Sequence, residues 1–290
     1  MDFYVRDETA PLEAVVLGIG TNRGELRKIN PTIRMHLENN TAPSHEAICR
    51  EIGTFESALV SHGVQVIRPH DLPETEQIFT RDIGFVIEDY FFVANMKHTV
   101  RAAEFAGIEK MVNHGNSEKV VHMPKGALAE GGDVIVHGDY LFVGISDRTN
   151  EAGVAFLQEF FPDKEVIGLE LVVDQDDPDR NILHLDCTFQ PIGTDQAIIY
   201  LDGFVEKPDV LLELFPEDKR IEVTQEEKIR MFPNVFSISP TKVVVERQFT
   251  RLIEELKTRG FEAVEVEYVE TSKLSGLLRC STLPLRRTKA

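Results

Sequence analysis

The feature that most constrains this chain is a unit of secondary structure that keeps returning. From Ser44 to Gly63, Ile48, Ile52, Phe55 and Leu59 fall three or four residues apart, and the glycine supplies a helix stop. The pattern recurs from Gln248 to Gly260 through Phe249, Leu252, Ile253 and Leu256. A strand-like run follows each glycine, GVQVIRP at 63–69 and GFEAVEVEY at 260–268. Another strand is expected in PLEAVVLGI at 11–19. Strand pairs are expected at 79–96, 131–146, 184–201 and 235–246, turning at Glu88-Asp89, Gly138-Asp139, Gly193-Thr194-Asp195 and Pro240-Thr241. Helical stretches at 98–113, 149–161 and 207–214 lie between them.

The chain therefore reads as about five copies of strand, turn, strand, helix, strand, each roughly 50–60 residues long. Repeats of that length suggest a propeller-like ring, which sends a turn or strand end from every unit toward one axis. An ordinary α/β sandwich is the competing reading. No Pro/Gly/Ser linker divides the chain, so residues 1–290 are expected to form a single domain, with DQDDPDR (174–180) as an acidic surface loop.

Composition removes several classes of function. Hydrophobic residues make up 42% and charged residues 28%, which predicts a packed core. The net charge of -18 argues against nucleic acid or an anionic membrane as partner. No apolar run reaches the roughly 20 residues of a membrane helix. The acidic N-terminus lacks a signal-peptide pattern, and the expected location is cytoplasmic. Three cysteines, Cys49, Cys187 and Cys280, make no disulfide framework and no metal-type pair.

Five short stretches at or near strand ends carry ionisable groups: FTRD (79–82), EGGD (130–133), SDRT (146–149), HLD (184–186) and RC (279–280). Asp82 alone reads more often as a turn or cap carboxylate, and Glu130 as a solvated acid in a tight loop entering a strand. Arg148 alone reads as a solvated arginine. The two glycines after Glu130 let the backbone pass close to a ligand or another segment. His184 and Asp186, two apart on an expected strand, project from one face. Cys280 is either a small buried hydrophobe or a thiol that nearby arginines push toward the thiolate.

A thiolate, a histidine and several carboxylates together fit few reactions. Cys-His peptide hydrolysis needs one orienting group rather than three acids. Three carboxylates suit a planar, delocalised cation, and a guanidinium accepts paired carboxylates with two hydrogen bonds each. Attack by Cys280 would then form an amidino adduct, with His184 protonating the departing amine and afterwards activating water. A metallohydrolase built on His184, Asp186 and Glu130 is a remaining alternative.

In this order, FTRD, EGGD, SDRT, HLD and RCSTLPLRR resemble the guanidine-modifying superfamily of arginine deiminases, dimethylarginine dimethylaminohydrolases and amidinotransferases. The resemblance implies an α/β fold, a five-bladed α/β propeller (pentein) of ββαβ repeats. It implies that Cys280 is the nucleophile, His184 the acid/base and Glu130 its neighbour. Asp82 and Asp186 would grip the guanidinium, Arg148 would bind the substrate carboxylate, and Arg279 and Arg81 would assist. The partner implied is a small guanidino compound, with no metal or organic cofactor, and homo-oligomerisation is left open. Two departures stand out. The stretch before the cysteine, KLSGLLRC, holds only Gly276 where the family often has a glycine-rich run. No helical bundle fits between Ala152 and His184, where arginine deiminases carry one. The leading expectation is a hydrolase of arginine or a close derivative, giving citrulline and ammonia from arginine itself. An amidinotransferase and a non-catalytic arginine-binding relative are the alternatives.

Overall fold

A computed structural model of the chain describes residues 2–114 and 117–289. Its strands form five three-stranded sheets, the blades of an α/β propeller. Each blade has an antiparallel pair, and a helix-bearing crossover then brings in a third strand parallel to the middle one. One blade holds Gly84–Ile87, Tyr90–Val93 and Val120–His122. The next holds Val134–His137, Tyr140–Ile145 and Glu165–Glu170. Phe189–Ile192, Gln196–Ile199 and Arg220–Glu222 form another, and Phe236–Ser239, Lys242–Glu246 and Glu262–Val266 follow. The remaining blade takes its strands from both ends of the sequence. Leu12–Leu17 pairs in parallel with Gln65–Ile67 and antiparallel with Thr282–Arg287. That last strand closes the ring.

Local chemistry explains the elements. The helix His45–Ser61 begins at Ser44, whose hydroxyl accepts the Ala47 N–H, and buries Ile48, Ile52, Phe55 and Leu59 against the core. Gly63 and Gly260 follow their helices at φ +80 and +88, conformations that a side chain would strain. Burying each large apolar side chain contributes about 1.5–3 kcal/mol. Phe55, fully buried between Phe236 and Tyr268, is therefore a position where truncation to alanine costs about 3–5 kcal/mol.

The structure differs from the sequence expectations in three places. Residues 185–187 form a 3-10 turn, with His184 as its N-cap, in place of the expected strand. Asp133 imposes this shape, because its buried carboxylate accepts the Leu185 N–H at 2.9 Å. The helix expected over 98–113 is a turn, a 3-10 segment at Ala102–Phe105 and an α-helix from Ala106 to Asn113. Helices at Pro31–Glu38 and Gln225–Ile229 were not expected. Among the described residues, no helix is long and apolar enough to cross a membrane.

Candidate active site

Four of the five stretches singled out in the sequence meet at one buried point, and SDRT adds Arg148 to its wall. Cys280 lies in the turn before the closing strand and is 2% exposed. The carbonyl of Cys280 accepts the Arg81 N–H at 3.0 Å, which ties the FTRD stretch to the thiol. Asp186 places its carboxylate oxygens 3.7 and 3.8 Å from Sγ. Across the cavity, His184 Nε2 meets Glu130 at 3.0 Å and Nδ1 lies 3.6 Å from Asp82 Oδ1.

The glycines of EGGD make this approach possible. A Cβ on Gly132 would stand 2.7 Å from the His184 ring and 3.0 Å from Asp82. On Gly131 it would stand 2.1 Å from the Arg81 carbonyl. Gly276 similarly leaves room for the Phe79 ring, 2.3 Å from where its Cβ would be.

The same acidic field acts oppositely on His184 and Cys280. Burial opposes charge on His184, but the carboxylates of Asp82, Asp133 and Glu130 together raise its pKa to about 10. Burial also opposes the charge on Glu130, and His184, Arg148 and Arg101 override it, holding that carboxyl well below its ordinary value. Cys280 goes the other way. Its hydrogen bond with Cys187, its burial and the Asp186 charge push the thiol well above its ordinary value. The resting site therefore pairs an imidazolium with a neutral thiol.

This corrects the expectation that neighbouring arginines favour the thiolate. The Arg279 guanidinium turns from the sulfur to Glu8 and Asp186, each at 2.9 Å, and donates to the Val134 carbonyl. Arg81 likewise reaches Glu8, at 3.4 Å, and burial and Arg279 lower its pKa to about 9. Neither lines the cavity. The cavity wall includes Cys280, His184, Asp82, Arg148, Arg101 and Phe79. Arg148 contacts Glu130 at 3.4 Å and leaves Nε without a partner. Asp82 Oδ1 likewise makes no hydrogen bond, although it lies 3.6 Å from His184 Nδ1, and Arg148 Nε lies 4.0 Å from Asp147.

Some site residues were not singled out in the sequence. Arg101 grips Asp82 at 2.6 Å and Glu104 through two bonds, which fixes the carboxylate beside the histidine. Asn234 hydrogen-bonds both the sulfur and the backbone N–H of Cys280. Glu8, from the N-terminal segment, is buried between Arg81 and Arg279. No local pattern marks these three, because their partners stand 19, 46 and 271 residues away.

The free volume of the cavity is about 10 Å³, room for about one water. A second cavity of about 150 Å³ adjoins it through Ile29, Glu76 and Arg101. Asp82, Glu130 and His184 have oxygen and nitrogen atoms within 4.8 Å of one another, close enough to hold a metal ion. Arg101 and Arg148 already occupy the two carboxylates, and a protonated imidazole offers no lone pair.

Five blades around a buried thiol, an imidazole and paired carboxylates define the class: a pentein of the guanidine-modifying superfamily, whose enzymes hydrolyse or transfer amidine C–N bonds. Within it, residues 23–287 match the family model described as N,N dimethylarginine dimethylhydrolase, eukaryotic, and the chain belongs to that family. The uncharacterised protein YkgA of Bacillus subtilis is 34% identical over 233 residues, 79% of this chain and 77% of YkgA. An N(G),N(G)-dimethylarginine dimethylaminohydrolase of Streptomyces coelicolor is 29% identical over 257 residues, 87% of this chain and 90% of that protein. The solved structure of SxtG, an amidinotransferase of the saxitoxin pathway of Microseira wollei, has a TM-score of 0.82 at 17% identity. That superposition covers 99% of this chain and 98% of SxtG, a likeness of fold.

Proposed function

We propose that the chain is a hydrolase of the guanidino group of arginine or its Nω-methylated derivatives, acting through an amidino adduct on Cys280. The observation that carries this reading is the Cys280 sulfur 3.7 Å from one carboxylate, Asp186, in a cavity that also bears Asp82 and His184. Two carboxylates near a sulfur suit a planar cation, and Asp82 Oδ1, which makes no hydrogen bond, suits one of its N–H groups. The guanidinium brings the positive charge that the thiol lacks, so its arrival favours loss of the thiol proton to bulk water, His184 being already protonated.

The thiolate then forms a C–S bond to the guanidinium carbon. His184 gives its proton to the departing nitrogen as the C–N bond breaks, leaving an S-bound thiouronium and a free amine. Neutral His184 next takes a proton from water, whose oxygen attacks the thiouronium carbon. Breaking the C–S bond expels the thiolate, which takes the remaining proton from the ureido oxygen, so the ureido product is released and the Cys280 thiol regenerated. Glu130 holds the imidazole in place, and Arg148 is the group proposed for the substrate carboxylate. Arg81 and Arg279 act from below, keeping Asp186 and the Cys280 turn in position. The dimethylarginine name of the matched family puts methylated arginines first among substrates, ahead of arginine.

Intact-mass spectrometry with methylated arginines, arginine, agmatine and guanidinoacetate tests the reading, together with assays for ammonia, methylamines and citrulline. An adduct on Cys280 with citrulline and an amine is expected, and Cys280→Ser should lower turnover at least about 10³-fold while remaining folded. Adducts that discharge only onto an added amine would make the enzyme a transferase. No adduct and no product from any compound would overturn the proposal.

A further inference from the structure

Among the described residues, one hydrogen bond is donated to the Cys280 sulfur, and it comes from Asn234 Nδ2 at 3.2 Å. The groups that act most strongly on that sulfur oppose its ionisation, while His184, Arg101 and Arg148, which line the same cavity, give it no hydrogen bond among the described residues. Asp186 and Cys187 lie on the 3-10 turn, Asp82 stands across the cavity, and Tyr268 lies behind. The guanidinium nearest in sequence, Arg279, is occupied by Glu8 and Asp186. An anion formed on Cys280 before substrate arrives would have the Asn234 amide as its N–H donor.

The orientation of that donor is determined. Asn234 Oδ1 accepts the Cys280 N–H at 3.2 Å, while Nδ2 also donates to the Asp186 carbonyl at 3.2 Å. Reversing the amide would set N–H against N–H and oxygen against oxygen, so Nδ2 must be the atom at the sulfur. Asn234 is fully buried, and its backbone is held on both sides. Its N–H donates to the Met231 carbonyl at 3.0 Å, and its own carbonyl accepts the Arg279 N–H at 3.4 Å. The 233–235 loop is thereby joined to the Cys280 turn.

We propose that Asn234 acts as the amide donor that orients the Cys280 sulfur and stabilises its thiolate as it attacks the guanidinium carbon. The proposal rests on Cys280 being the nucleophile. A hydrogen bond from N–H to an anion is about twice as strong as one to a neutral acceptor, so this contact favours the thiolate over the thiol. It offsets part of the repulsion from Asp186 and is in place before substrate binds.

The test is the pH dependence of Cys280 alkylation by iodoacetamide, read on the Cys280 peptide so that Cys49 does not contribute. Asn234→Ala should alkylate about tenfold more slowly near neutral pH, with its profile displaced to higher pH. Asn234→Asp is nearly isosteric, keeps the acceptor for the Cys280 N–H and adds negative charge, so it should be slower still. A purely packing role predicts the reverse order, with the alanine variant worse. Unchanged profiles in folded variants, or alanine slower than aspartate, would overturn the proposal. If neither variant folds, the Asn234 side-chain amide NMR signals of the unmodified protein decide. They should move with the thiol titration and stay still in Cys280→Ser, and signals indifferent to that titration would overturn it equally. Both readouts follow the sulfur without turnover, so failure of every guanidino substrate would sink the proposed function and leave this result standing.

Discussion

His184 and Cys280 line one cavity, both buried, and the acids around them leave one charged and the other neutral. Carboxylates favour the positive form of an imidazole and oppose the negative form of a thiol, so a single field sets both states. In the proposed mechanism the difference means that Cys280 is not activated by a ready-made imidazolium contact, as in Cys-His peptidases. Its activation awaits a cation. A substrate lacking a delocalised positive charge would leave the thiol protonated, and this gives the site chemical selectivity before any shape is read.

Asp186→Asn gives the sharpest break in the comparison. It removes half of the carboxylate grip, so kcat/KM should fall about 10³-fold. It also removes the acid nearest the sulfur, so iodoacetamide should alkylate Cys280 several-fold faster near neutral pH. Measuring both on one preparation separates the two roles, and a variant slow in both assays would contradict the shared-field account. Gly132→Ala acts on the histidine side alone. The new Cβ must displace the His184 ring from 2.7 Å, and a misplacement of that size costs about 10²-fold in kcat. Thiol alkylation should remain unchanged, and a matching change there would show that the two walls move together.

The smallest effect is on stability. The folded pKa of His184 is raised from 6.5 to about 10, so its contribution is full below pH 6.5 and is lost as pH climbs through about 10. Glu130 is lowered from its ordinary 4.5, so its share is present above pH 4.5 and disappears on further acidification. Urea unfolding at pH 7 and pH 10 should show wild type losing roughly a few kcal/mol and His184→Gln losing less. Equal losses would place the alkaline transition elsewhere.

Much of this arrangement was legible in the sequence, for identifiable reasons. Strand alternation, glycine stops after the helices and polar turns are local signals, and they repeat, so the five blades could be counted. The site stretches could be read because each is short and keeps its own order. What stayed hidden depends on contacts across the ring. Arg279 adjoins Cys280 in the chain, yet its guanidinium serves Glu8, 271 residues away. HLD alternates like a strand, but Asp133 from another blade bends it into a turn. Asn234 lies in FPNVF, a stretch with no chemistry of its own.

The closing strand carries a consequence for the order in which the protein comes into being. Thr282–Arg287 pairs with Leu12–Leu17, and Cys280 sits two residues before it. The hydrogen bonds from Arg81 and Asn234 that set the thiol span 199 and 46 residues, so the thiol takes its place only when the last strand docks against the first.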